Sequence, residues 1–115
     1  MNEQQNGRVG WKWDSVPAGC GVLAIRRRSD GKSLYLAVAD MRQRAYDHHR
    51  MLMAGTHHNP ELQAAWSAEE FEIVPVERVR HQNFLNAFKQ IWIERSVGNN
   101  FNRKGSISLS ERTTQ

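Results

Sequence analysis

Two short apolar runs stand near the start of the chain, GVLAI at residues 21–25 and SLYLAVA at residues 33–39. They flank the polar segment RRRSDGK at residues 26–32, in which Asp30-Gly31 is typical of a tight turn between strands. We therefore predict a β-hairpin with strands over residues 20–27 and 33–38.

The next segment has the spacing of a helix. Asp40 is suited to cap its first turn, and Gly55 is suited to end it. Asn59 followed by Pro60 is the start signal of a second, short helix. Between Asp40 and Gly55, apolar residues recur at helical spacing, at Met41, Ala45, Leu52 and Met53.

A third strand and a long last helix complete the pattern. FEIVPV at residues 71–76 alternates and is β-branched, and Pro75 predicts an edge strand because proline has no N–H to donate. The helix predicted over residues 81–95 carries an apolar stripe that we assign to the core: Phe84, Leu85, Phe88, Ile91 and Trp92. The order β-β-α-α-β-α predicts an α+β fold, a small three-stranded antiparallel sheet flanked by helices.

The length of 115 residues suits one domain. We expect an irregular N-terminal arm over residues 1–18, the domain over residues 19–102, and a polar, disordered tail over residues 103–115. No apolar run is long enough for a membrane span, and the polar N-terminus does not resemble a secretory signal. With Cys20 as its one cysteine, the chain cannot form an internal disulfide, so a cytoplasmic location is the default expectation.

Charge adds the first functional indication. Sixteen Lys and Arg against twelve Asp and Glu give a net charge of +4 and a pI near 9.7. This balance favours an anionic partner such as nucleic acid, although a mildly basic surface is the alternative interpretation. Seven basic residues and three aspartates lie between residues 26 and 58, whereas residues 61–77 hold five glutamates and no basic residue.

The motifs, taken in order, resemble the GIY-YIG nuclease family. GVL at residues 21–23 stands where that family has Gly-Ile-Tyr, and GKSLYLA at residues 31–37 stands where it has the Tyr-Ile-Gly strand. Arg44 and His48 fall at the positions of the catalytic arginine and of a histidine one turn later. AGTHHNPELQAAW at residues 54–66 is similar to the family's Gly-x-His and Leu-Gln-x-x-aromatic segment. The resemblance covers residues 19–102 and implies a GIY-YIG-like fold.

The family's chemistry, as the resemblance implies it, uses tyrosines, an arginine, and one divalent metal held by a glutamate of the last helix. Here Leu23 stands at the first tyrosine position and Leu34 at the second, or Tyr35 if the alignment shifts by one residue. Lys89 stands at the glutamate position. Leucine cannot transfer a proton, and lysine repels Mg²⁺ and offers no oxygen ligand. We therefore expect a catalytically impaired protein.

Arg44 and His48 remain as the catalytic remnant, and Tyr35 joins them in the shifted alignment. The leading hypothesis is a domain that binds the DNA phosphate backbone through the former nuclease face. About five phosphate contacts would give a log–log salt slope near −4.5. For His48 a buried, structurally satisfied histidine is the competing interpretation, and for Arg44 a solvated or ion-paired side chain. The expected contacts are Arg26, Arg27, Arg28, Arg42, Arg44, His48, Arg50 and His57.

We expect no cofactor and no metal site, because neighbouring histidines such as His57 and His58 point in different directions. Two alternatives stay open. A protein-interaction or inhibitor module on a reused nuclease fold, of phage or mobile-element origin, would use Trp11 and Trp13 as contacts. A residual endonuclease would use Mg²⁺, Tyr35 and a carboxylate such as Asp47 or Glu94.

Overall fold

The computed structural model describes residues 16–102. Most of the predicted arm, including Trp11 and Trp13, and the predicted tail lie outside the described residues. Within this range the elements follow the predicted order. They are β1 (Gly21–Arg27), β2 (Ser33–Val38), α1 (Met41–Ala54), α2 (Pro60–Ala65), β3 (Phe71–Arg78), a 3₁₀ turn (Gln82–Phe84) and α3 (Leu85–Arg95).

The three strands form one antiparallel sheet in the order β2-β1-β3. The predicted fold class, an α+β domain with a three-stranded antiparallel sheet, is confirmed. β3 is an edge strand, as Pro75 predicted, and the register shifts beside it, where Val22 pairs with Glu77 and Leu23 pairs with Pro75. The second edge, along β2, is the one on which the candidate site lies.

Helices cover both faces of the sheet, and the alternation along β1 explains the two apolar clusters. Leu23 and Ile25 point to one face, where they pack with residues of α1 and α2. Val22 and Ala24 point to the other face, where Ile93 of α3 is buried. This alternation is the two-residue period of a strand buried on both sides.

Local capping signals set the ends of the first two helices. The Asp40 side chain accepts from the Gln43 N–H, and Gly55 ends α1 in the left-handed region at φ 79°. The Asn59 side chain caps α2 by accepting from the Leu62 N–H at 2.9 Å, and Pro60 occupies the first turn. Each of these caps agrees with the prediction from the sequence.

The last helix departs from the prediction in two respects. Its first residues form a 3₁₀ turn, and the α-helix begins only at Leu85. The apolar stripe assigned to the core is wrong in part, because Phe84 is 51% exposed and Ile91 is 41% exposed. Ile93, which was not in the stripe, is the buried residue of α3. The helix rests on the sheet through Ile93, Phe88 and Trp92, so its outer apolar side chains face away from the sheet.

Val16, assigned to the arm by the sequence, is buried in the core on the α1 face of the sheet. Its carbonyl accepts a hydrogen bond from Arg42 Nε at 2.8 Å. Packing against the domain thus extends at least to this residue. Across residues 16–102, no helix has the length and apolar character needed to cross a membrane.

Candidate functional site

A pocket of about 260 Å³ lies at the free edge of β2. It is lined by residues 34–37 of β2, by His58 and Asn59 from the segment before α2, and by Lys89 from α3. Asn102 also lines it. Lysine is the one charged residue in this lining, and no carboxylate contributes to it.

The backbone of β2 is partly covered along this edge. The side-chain amide of Asn102 binds both backbone groups of Tyr35. Its Oδ1 accepts from the Tyr35 N–H at 2.9 Å, and its Nδ2 donates to the Tyr35 carbonyl at 3.0 Å. The Phe101 N–H donates to the Ser33 carbonyl at 2.8 Å. Because outward-pointing residues alternate along a strand, Ala37 also presents its N–H and carbonyl away from β1. Ala37 lines the pocket, so its peptide groups border that space.

Arg44 does not line this pocket but lies beside it. It lines an adjoining groove together with residues 37–40 and Asp47, and Ala37 lines both the pocket and the groove. Arg44 Nη1 approaches Asp47 Oδ2 at 3.5 Å, and the Arg44 side chain is 57% exposed. A further hollow along α1 is lined by Arg44, Asp47 and Arg50. Ala37 thus lines both the pocket and the groove, and Arg44 and Asp47 line both the groove and the further hollow.

The structure brings His48 and His57 together in the interior. His48 is 6% exposed and His57 is 7% exposed, and their Nδ1 and Nε2 atoms lie 2.8 Å apart. The Asn59 N–H donates to His57 Nδ1 at 3.0 Å, so the proton of a neutral His57 is on Nε2. His57 therefore donates to His48 Nδ1, and the proton of His48 is on Nε2. The imidazole of His58 stacks on that of His57, with ring centroids 4.5 Å apart.

Burial, followed by the charges of the neighbouring His57 and His58, lowers the pKa of the His48 imidazole to about 4. Burial, followed by the charge of His58, lowers the pKa of His57 to about 4 as well. Both imidazoles are consequently neutral near pH 7. The competing interpretation of His48, a buried and satisfied histidine, describes its surroundings in the structure.

The remaining catalytic candidates lie on different faces of the sheet. Leu23 and Leu34 belong to the cluster on the α1 face. Tyr35 is 5% exposed and belongs to the opposite cluster, where its ring stacks on Trp92 with centroids 5.8 Å apart. The structure therefore does not bring the Tyr35 ring together with Arg44 and His48, which belong to α1.

Arg27 and Arg28 of the hairpin do not line the pocket. Both contact acidic residues instead. Two bonds join the Arg27 guanidinium to the Asp30 carboxylate, at 2.9 and 3.1 Å, and they hold the pKa of Asp30 at about 2. Arg28 donates to the Glu69 carbonyl at 2.6 Å and lies 3.8 Å from the Glu72 carboxylate. The acidic segment of the sequence thus folds back onto its most basic run.

Arg26 and Arg42 bind neutral partners in the structure. Arg26 Nε donates to Ser33 Oγ at 3.2 Å, near the same hairpin turn. Arg42 Nε donates to the Val16 carbonyl at the start of α1. The eight basic residues expected at one surface are therefore spread over the hairpin, the interior and the exposed side of α1.

Comparison with known proteins gives matches among solved structures. The catalytic domain of the homing endonuclease I-TevI aligns with a TM-score of 0.64 and 20% identity, over 72% of this chain and 96% of that domain. A glutamate-to-alanine mutant described as the catalytic domain of intron endonuclease I-TevI aligns with a TM-score of 0.61 and 22% identity, over 72% and 91%. The fold is GIY-YIG-like. No protein-family model and no curated protein matches the chain.

The divalent metal implied by the resemblance to GIY-YIG nucleases does not fit the residues at this pocket. Mg²⁺ is bound by oxygen ligands, usually including carboxylates. The pocket offers the ammonium of Lys89 instead. Asp47 lies on α1 beside Arg44, and the Glu94 carboxylate accepts from Gln90 on α3. Within residues 16–102, no group of three or more His, Cys, Asp or Glu is placed to hold a metal ion.

Two residues of the candidate site were missed from the sequence. Asn59 was expected only as a helix cap, but its Nδ2 also donates to the Phe101 carbonyl at 3.0 Å. Asn102 was not singled out in the sequence, although it binds the backbone of Tyr35 from 67 positions away. The repeated asparagines of the segment GNNFN were the available signal, because asparagine side chains commonly satisfy backbone groups in irregular segments.

Proposed function

We propose that this chain binds the phosphate backbone of DNA along the free edge of β2 and does not cleave it. The observation that carries the proposal is that Ala37 lines both the pocket and the groove. Lys89 lines the pocket, and Arg44 lines the groove and the further hollow that Arg50 also lines; we call these linings together the edge surface. A row of basic side chains along a groove suits a polyanion whose charges repeat at regular intervals.

The ion pair between Arg44 and Asp47 is weak enough for Arg44 to bind a phosphate in place of Asp47. An exposed ion pair contributes about 0–1 kcal/mol, and the contact between Arg44 and Asp47 is long at 3.5 Å. A phosphate offers two oxygens to the arginine fork, which is a stronger arrangement. Lys89 makes no ion pair within residues 16–102, so no internal contact has to be broken there.

Several features support the absence of cleavage. No carboxylate lines the pocket, so it lacks the acidic oxygen ligands that usually hold a catalytic metal ion. His48 is buried with its Nδ1 bonded to His57, so it is poorly placed to exchange protons with a bound phosphate. The similar solved structures are those of an endonuclease domain. For this chain we propose binding of nucleic acid but not its cleavage. Nuclease activity through Asp47 or Glu94 gains no support from their positions.

The test is the salt dependence of binding to a short fluorescent duplex, measured by anisotropy over a series of NaCl concentrations. Three phosphate contacts predict a log–log slope of about −2.7. Arg44→Ala should weaken binding. It should also make the slope less negative by about 0.9, the value for one phosphate contact. Arg27→Ala is the matched control, because Asp30 already holds that guanidinium. A weaker complex with Arg27→Ala than with Arg44→Ala would contradict the proposed surface.

A second function, docking of a protein partner, is favoured by one observation. Phe84 of the 3₁₀ turn and Ile91 of α3 are large apolar side chains that are exposed. Clusters of exposed apolar side chains are a common feature of protein interfaces. Absence of DNA binding in the titration would favour this second function.

A further inference from the structure

We propose that Lys89 and the Ala37 peptide form a metal-independent oxyanion site, which takes one phosphate group in the pocket at the edge of β2. The inference deepens the proposed function and rests on it for the source of the phosphate. The ammonium would occupy the region in which the resemblance implies a metal ion. Positive charge would thus be supplied by the chain itself.

The charge of the pocket supports an anionic ligand. Lys89 is its one charged lining residue, and the lysine is half-buried without an ion pair within residues 16–102. The remaining lining consists of apolar residues, a histidine and two asparagines. An ammonium without an ion-pair partner attracts an anion that enters the pocket.

Hydrogen-bond donors surround the same space. The Ala37 N–H points outward from the sheet edge, by the alternation that directs the peptides of Ser33 and Tyr35 to Phe101 and Asn102. Asn59 Nδ2 uses one of its two hydrogens on the Phe101 carbonyl, and the residue lines the pocket. Backbone and amide donors beside an ammonium are the groups that bind tetrahedral oxyanions.

Rigidity distinguishes this pocket from a chance surface lysine. Asn59 is 5% exposed and is fixed by three hydrogen bonds, and the Tyr35 peptide is fixed by Asn102. The walls are therefore set before a ligand arrives, which lowers the entropic cost of binding. At about 260 Å³ the pocket has room for a phosphate group and part of the sugar attached to it.

The experiment uses two probes with the full chain. Inorganic phosphate is titrated while the amide signals of Ala37 and its neighbours are followed by NMR, and labelled duplex DNA is titrated in EDTA and in Mg²⁺ at equal ionic strength. Wild-type protein should bind DNA in EDTA without any need for Mg²⁺. Lys89→Ala should weaken both ligands about tenfold or more, as loss of one charged hydrogen bond predicts, and Lys89→Glu should weaken them further.

Arg95→Glu is the matched control, because it makes the same charge change as Lys89→Glu at an exposed position of the same helix. It should change the affinity for inorganic phosphate much less than Lys89→Glu does.

If DNA binds but the Lys89 variants bind it as tightly as wild type, or if binding requires Mg²⁺, the oxyanion site is overturned while DNA binding stands. If phosphate shifts the Ala37 signal in a Lys89-dependent way and DNA does not bind, the site stands for a free phosphate and the proposed function fails. Absence of both responses overturns both.

Discussion

Acidification from pH 7 to pH 4 should lower the free energy of unfolding by about 3–6 kcal/mol, through the buried histidines. In the unfolded chain these imidazoles have their ordinary pKa near 6.5, whereas burial lowers the pKa of His48 and His57 to about 4 in the folded protein. The unfolded state therefore binds more protons between these values. Stability is complete above pH 6.5 and is lost as the pH falls towards 4. His49, whose pKa is also lowered to about 4 by burial, adds to the loss.

Urea denaturation at fixed ionic strength, repeated across this pH range, measures the effect. His48→Leu removes one of the buried imidazoles, so the variant should lose less stability between pH 6.5 and pH 4 than wild type does. It should also be less stable at pH 7, because the His57 N–H loses its acceptor. His81→Gln, at an exposed histidine, is the control for loss of an imidazole. A free energy of unfolding that stays level between pH 7 and pH 4.5 would contradict the neutral His48–His57 pair.

Asn59→Ala should lower the free energy of unfolding by about 2–4 kcal/mol. The substitution removes the cap of α2, worth about 1 kcal/mol, and leaves the buried Phe101 carbonyl without its donor, which costs about 1–3 kcal/mol. The segment that carries Asn102 would also lose one of its ties to the domain, although its bonds to Ser33 and Tyr35 would remain. Binding of phosphate in the pocket should weaken together with stability, because both sides of the pocket depend on this residue.

Thermal or urea unfolding measures the loss, and two variants separate its causes. Asn59→Ser keeps a capping oxygen but not the amide, so it should recover about 1 kcal/mol relative to Asn59→Ala. Asn99→Ala removes an exposed bond to the Asp30 carbonyl and should cost less than about 1 kcal/mol. Equal losses for Asn59→Ala and Asn99→Ala would show that the buried contacts of Asn59 contribute little.

The fold was predictable where single residues determine local structure. Asp40, Gly55 and Asn59 mark helix ends through their own side chains or backbone freedom, and Pro75 marks an edge strand through its missing N–H. Such signals act within a few residues, so they can be recognised without knowing the rest of the chain. The burial of α3 was less predictable, because periodicity gives the apolar face of a helix but not how far the sheet covers it.

The candidate site was predictable only in its parts. The positions of Arg44 and Lys89 came from the resemblance, but their relation through Ala37 depends on tertiary structure. Arg28 was expected at a phosphate, and its acidic neighbours in the structure lie 41 or more positions away in sequence. The hydrogen bond between His48 and His57 also depends on a turn that brings two helices together.

The most direct measurement of the central claim is incubation of labelled duplex DNA with the purified chain at low salt, in EDTA and in Mg²⁺ or Mn²⁺. One native gel and one denaturing gel of the same samples report retardation and cleavage separately. We expect retardation in every buffer and intact DNA strands throughout. Metal-dependent cleavage that disappears in Arg44→Ala would contradict the account. It would show that the chain cleaves DNA although a lysine occupies position 89.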